Sequence, residues 1–149
     1  MRFLLDTNVL LRFVLTDEPE HLVVKRPVNS LLLKGHSVHF SPQSVRELCH
    51  VCTRSPAANG IGLSPPEVSG LVGELRVTLD FLDDTPGTFD VWLDLVTTSS
   101  ITGAKTHDAK HAALAKRNGI DFVVTFDTSN FNRVQVEGVQ VVSPGELPE

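Results

Sequence analysis

Short apolar runs alternate with amphipathic stretches along this chain. Arg2 to Leu5, His36 to Phe40 and Phe122 to Thr125 read as strands, and Val139 to Val142 as a last short one. Between them the apolar positions fall at helical spacing. Val9, Leu10, Phe13 and Val14 stripe a short first helix that Thr7 or Asn8 can cap. A second helix is predicted from Pro19 to Lys34, closed by Gly35, with Pro27 expected to kink or divide it. Ser41 is placed to cap a third helix, which carries Glu47. Ser55 to Leu63 is a loop rich in Pro, Asn and Gly, and Ser64-Pro65-Pro66-Glu67 reads as a capping box. Val77 to Phe81 is ambiguous and is taken as a short edge strand. Pro86 to Thr98 looks helical, with Phe89, Leu93 and Val96 recurring on one face. An alanine-rich helix begins at Thr106 or His107 and ends at Asn118-Gly119.

That alternation points to an α/β fold with a mostly parallel central sheet flanked by helices. The chain shows no repeat, low-complexity tract or interdomain linker, and its 149 residues suit one domain with a real core. A 41% hydrophobic and 21% charged composition is that of an ordinary soluble protein. Asp6, Asn8 and Arg12 interrupt the apolar N-terminus, so no signal peptide is read there. No apolar stretch approaches the roughly 20 residues that span a bilayer. A cytoplasmic location without membrane contact is expected. Cys49 and Cys52 are too few for a disulfide framework.

Four acids stand where solvated surface is a poor explanation. Asp6 closes the run Phe3-Leu4-Leu5, Glu47 lies within its helix, Asp108 opens the alanine-rich helix, and Asp127 follows Phe122 to Phe126. If the strands preceding Asp6 and Asp127 are parallel neighbours, both acids arrive at one crevice, where open α/β sheets bind ligands. Crowded carboxylates repel and raise one another's pKa unless a cation is present, and an all-oxygen set suits Mg²⁺ or Mn²⁺. Each acid has a plainer reading: Asp6-Thr7-Asn8 as a cap, Asp108 as a helix-dipole partner, Asp127 as a turn residue, Glu47 on a wet face. All four together are harder to dismiss. Net charge is −5, and setting these four aside leaves −1, so the overall charge does not exclude a nucleic-acid partner.

Leu4-Leu5-Asp6-Thr7-Asn8-Val9-Leu10, Glu47 in its helix, Thr106-His107-Asp108-Ala109, Val124-Thr125-Phe126-Asp127 through Phe131, and the closing Val139 to Pro144 together resemble a PIN domain. The likeness is greatest to the VapC-type toxin ribonucleases and covers residues 1–149 as one PIN-like nuclease domain. It implies an endoribonuclease that uses Mg²⁺ or Mn²⁺, one or two ions, held by Asp6, Glu47, Asp108 and Asp127. It further implies hydrolysis of RNA to a 5′-phosphate and a 3′-hydroxyl, with Thr7, Asn8 and Thr125 in support. A homodimer and a small antitoxin, which inserts a segment into the acidic groove, are also implied. The alternatives are a PIN-type RNA-processing or repair nuclease without antitoxin, and a PIN-like module that binds RNA or protein without cutting. Arg12, Arg46 and Lys105, near the acids in sequence, are the first candidates for phosphate contacts. Lys110, Lys116, Arg117 and Arg133 follow.

Three other motifs are set aside. His107-Asp108-Ala109-Lys110-His111 has the spacing of a zinc-protease helix, but Asp replaces Glu and no third-ligand motif is evident. Cys49-His50-Val51-Cys52 lies well inside a helix and lacks a second pair, so packing is its better reading. Asp6-Thr7-Asn8 has Asn where a haloacid-dehalogenase-type phosphatase carries its second Asp.

Overall fold

Strand β1 (Arg2–Leu5) is the centre of the sheet, with β2 (Ser37–Phe40) on one side and β4 (Phe122–Val124) on the other. In the computed structural model, which describes residues 1–131, 134 and 136–147, β3 (Asp80–Phe81) and β5 (Gln140–Val142) complete the edges. The strand order is β3-β2-β1-β4-β5, and every pairing is parallel. This is the α/β architecture read from the sequence. Parallel sheets are covered on both faces, so their strands read as continuous apolar runs. Phe3 and Leu5 face one core layer, joined there by Val9, Leu10, Phe13 and Val38, while Leu4 faces the other with Leu114, Ile120, Val123 and Phe131. Phe3 also stacks on Phe122 of the neighbouring strand, ring centroids 4.9 Å apart.

Helices α1 (Thr7–Val14), α2 (His21–Leu33), α3 (Pro42–Thr53) and α4 (Pro65–Thr78) follow the first strands. Then come α5 (Thr88–Thr98), α6 (Lys105–Arg117) and the single-turn α7 (Thr128–Phe131). Ser41 caps α3 through Ser44 N–H, and the capping box at Ser64 and Glu67 is complete, as expected. The loop from Ser55 to Leu63 holds one 3₁₀ turn, Pro56–Ala58.

Four expectations need correction. The cap of α1 is Asp6, not Thr7 or Asn8: its backbone is extended and its carboxylate accepts from Thr7 N–H. Helix α2 starts at His21 and runs unbroken through Pro27, because Val24, Val28 and Leu31 bury its apolar stripe completely and outweigh one lost hydrogen bond. Val77 and Thr78 belong to α4, leaving a two-residue edge strand. On α5 the buried side is Leu95 with Val91, Trp92 and Val96, whereas Phe89 and Leu93 are 65% and 44% exposed. The apolar arc of α5 is wider than the flank that packs on α6, so periodicity alone could not say which flank is covered.

Helix α6 is the element that most tightly positions an acid. Ala109, Ala112, Ala113 and Ala115 are buried, and these small side chains let its backbone lie close to α5 and the sheet. Asp108, in its first turn, is thereby carried to the carboxyl edge of the strands.

Candidate active site

The chain reverses its direction of travel across the sheet between β1 and β4, and the crevice there is the usual ligand position of an open α/β sheet. Leu5 pairs with Val124, so Asp6 and Thr125 leave the sheet side by side. Asp6 N–H donates to Val124 O at 2.9 Å. Asp6 is only 8% exposed, and both carboxylate oxygens are engaged. Oδ1 accepts from Thr7 N–H at 2.7 Å and Oδ2 from the Thr125 hydroxyl at 2.7 Å. Thr125 is fully buried, and its Oγ1 also accepts from Asn8 Nδ2 at 3.2 Å and from Asp127 N–H at 3.0 Å. Asn8 Oδ1 in turn accepts from Phe126 N–H at 3.3 Å. One hydroxyl therefore ties the loop after β1 to the loop after β4. Asp127 is exposed, and Ser129 Oγ donates to its Oδ1 at 3.2 Å.

Glu47 comes from α3, whose first turn is anchored to β1 by Ser44 Oγ donating to Leu5 O at 3.4 Å. Gln43 sits one helical turn before Glu47. Its Nε2 donates to Glu47 Oε1 at 2.9 Å and to His107 O at 3.3 Å, joining α3 to α6. Asp108 closes the group and accepts no hydrogen bond among the described residues. Its carboxyl is pushed above the ordinary aspartate range, first by burial and then by the charge of Asp6, with Asp127 and Glu47 adding to the rise and His111 opposing it. Asp6, Asp127 and Glu47 thus each act on Asp108.

Two residues at this site were not assigned to it from the sequence. Gln43 is one, and the available signal was its i, i+4 relation to Glu47. The other is His111, three residues beyond Asp108 on the same helical face and 2% exposed. Its Nε2 lies 3.4 Å from Asp6 Oδ1, yet neither ring nitrogen has a hydrogen-bond partner among the described residues. Thr7 Oγ1 and Gln43 Oε1 are likewise buried and unpartnered there.

The candidate cations fare unevenly. Arg12 is committed to Glu20 at 2.6 Å and to Asn8 O at 2.9 Å, and stacks over the Phe126 ring at 4.8 Å. Arg46 and Lys116 are exposed, and Lys105 opens α6 three residues before Asp108. Lys110 pairs with Asp84 at 3.0 Å and Arg117 Nε donates to Pro86 O at 3.0 Å, so both serve the α5 flank. Arg133 lies outside the described residues. The zinc-helix motif dissolves, since His107 is exposed while His111 is buried. Cys52 packs in the core, where burial pushes its thiol up and away from thiolate reactivity.

The donor chemistry fits a hard divalent cation: four carboxylates in one field, with buried, unsatisfied polar atoms beside them. The fit is one of chemistry and placement. Among the described residues no three His, Cys, Asp or Glu side chains already converge on a point that could hold an ion, so side chains would have to turn to meet one. No described helix is long and apolar enough to cross a membrane.

The PIN domain family model matches residues 3–137. No curated protein matches by sequence. Among solved structures, VapBC2 of Rickettsia felis, bound to a DNA fragment from its promoter, is similar with a TM-score of 0.70 at 16% identity, over 96% of this chain and 98% of that one. VapBC of Salmonella typhimurium, also bound to DNA, gives 0.66 at 24% identity, over 97% and 98%. VapC20 of Mycobacterium tuberculosis, described as a toxin cleaving the sarcin-ricin loop, gives 0.61 at 16% identity, over 91% and 97%. These likenesses concern the fold.

Proposed function

The chain belongs to the PIN domain family, and on that premise we propose that it is a Mg²⁺- or Mn²⁺-dependent endoribonuclease, the toxin of a toxin–antitoxin pair. The observation that carries this reading is the rise of the Asp108 carboxyl caused by Asp6, Asp127 and Glu47 as well as by burial. Acids so arranged destabilise one another unless positive charge joins them. When bound, the cation supplies the charge that offsets the phosphodiester oxygens and makes water a competent nucleophile near neutral pH. Asp6, Glu47, Asp108 and Asp127 would hold it, one ion or two. Thr125 fixes the Asp6 carboxylate, Asn8 fixes Thr125, and Gln43 fixes Glu47. Lys105 and Arg46 remain available for phosphate contacts, whereas Arg12 serves to brace the loop at Phe126.

The toxin assignment is supported by the solved VapBC assemblies of like fold. A small antitoxin carrying an arginine would match the carboxylate cluster by charge-assisted hydrogen bonds. On this reading it acts in the cytoplasm as a homodimer. Phe89 and Leu93 on α5, beside a cavity of about 670 Å³ lined in part by Trp92 and Pro86, offer the apolar surface a dimer needs. Leu93→Asp is therefore expected to shift the sedimenting species from dimer to monomer mass, and an unchanged dimer would move the interface elsewhere.

The decisive experiment is cleavage of a mixed pool of single-stranded and structured RNA by antitoxin-free protein. Cutting with Mg²⁺ or Mn²⁺ and none with EDTA is the expected result. RNA left intact by well-folded, metal-supplied protein across the pool would sink the nuclease reading in favour of a binding module.

A further inference from the structure

We propose that His111 supplies a nitrogen donor to the cation at this site, making it a mixed oxygen–nitrogen centre that favours Mn²⁺ over Mg²⁺. The inference rests on the nuclease reading for the presence of the cation, but not for the placement of the imidazole.

Three observations converge on this residue. First, His111 is buried to 2% exposure at the inner end of the acidic cluster, where a histidine without partners is expensive. Second, its Nε2 faces Asp6 Oδ1 at 3.4 Å without forming a hydrogen bond. Neither ring nitrogen meets a hydrogen-bond partner among the described residues, so the nitrogen that faces the carboxylate is placed to meet a shared cation. Bonds of about 2.1 Å at right angles put neighbouring donors about 3 Å apart. The observed separation is thus close to that of two ligands sharing one ion. Third, His111 lies three residues beyond Asp108 on one face of α6, so it stands near two of the four acids.

The chemistry then sets the metal preference. Carboxylates serve Mg²⁺ and Mn²⁺ alike, whereas an imidazole nitrogen is a softer donor that gains more from Mn²⁺, the more polarisable ion. Sequence spacing gave the clue in disguise: His107 and His111 suggested a zinc pair, but only His111 turns inward, and its companions are oxygens.

Pulsed electron paramagnetic resonance of the full chain loaded with one equivalent of Mn²⁺ tests this without reference to activity. The expected spectrum shows modulation from a directly bound ¹⁴N, which changes frequency when the protein is made with ¹⁵N-histidine. In His111→Gln the modulation disappears while Mn²⁺ stays bound. Affinity for Mn²⁺ should fall about tenfold, the scale seen even for outer partners of metal sites, with a smaller loss for Mg²⁺. The isotope arm needs no substitution, so it stands even if His111→Gln misfolds. Bound Mn²⁺ lacking nitrogen modulation would overturn the role of His111 and leave the nuclease reading intact. Modulation that persists in folded His111→Gln would assign the nitrogen to another histidine. A spectrum of wholly free Mn²⁺ would overturn both.

Discussion

Asp108→Asn should lower cleavage by about two to three orders of magnitude while making the cation-free protein more stable. The two effects have one cause. Asp108 is the cleanest of the four acids to replace, because no hydrogen bond among the described residues depends on its carboxylate. Its substitution removes a charge and little else. For the reaction, a missing cation ligand also removes part of the stabilisation of developing negative charge, and losses of about 10²–10³-fold are typical for single electrostatic groups. For folding, the sign follows from the raised carboxyl. The folded chain binds this proton more tightly than the unfolded one. Asp108 therefore favours folding below the ordinary aspartate range, and that contribution is lost as pH rises through its raised value. At pH 7 the charged group opposes folding, and the amide does not. A gain on the order of 1 kcal/mol, or about 2–4 °C in Tm for a chain of this size, is expected in EDTA. The gain should shrink as pH is lowered through the acid's own titration. Melting curves of both proteins between pH 3.5 and 8, beside their cleavage rates in Mn²⁺, make the comparison. Equal rates, or a loss of stability at neutral pH with none at acid pH, would remove Asp108 from the site.

The same contrast between charge and packing explains what was legible in the sequence. Strand β1 and the acid that ends it could be read because an apolar run buried on both faces leaves a carboxylate at its end conspicuous. Asp127 could be read for the same reason after β4. What joins them could not. The resemblance implied a supporting role for Thr125, but only the parallel pairing of Leu5 with Val124 brings its hydroxyl to Asp6. Gln43 and His111 carried faint local signals, one turn from Glu47 and from Asp108. Nothing local distinguishes a helix position that faces a cluster from one that faces solvent. His107 and His111 show the limit: helical spacing suggests that they point together, yet the first is exposed and the second buried. Helix α5 failed by the same rule, because Phe89 and Leu93 share the apolar character of Leu95 but not its contact with α6.

Thr125→Val is expected to be the most damaging change that leaves every charge in place. Valine has nearly the volume and branching of threonine, so the core around β4 keeps its shape. What is lost is the single oxygen that donates to Asp6 Oδ2 and accepts from Asn8 Nδ2 and Asp127 N–H. A buried carboxylate oxygen without its donor, and buried donors without their acceptor, each cost about 1–3 kcal/mol. Some of these groups reach water, so a net loss of about 2–4 kcal/mol is expected. The Asp6 carboxylate would then be free to turn, and so would the loop bearing Asp127. Misplacement of a catalytic group by even 1 Å can cost about 10²-fold in rate. Cleavage at saturating RNA should therefore fall by about that factor in kcat, with KM little altered, because no group that meets the substrate has changed. Thr125→Ser is the informative companion. Serine keeps the hydroxyl and loses only a methyl group, so rate should return to within severalfold of the parent although some packing is lost. Two substitutions equally damaging to kcat would assign the role of Thr125 to packing alone. Recovery in serine but not in valine would identify the hydroxyl as the joint that aligns the acids on the two central strands.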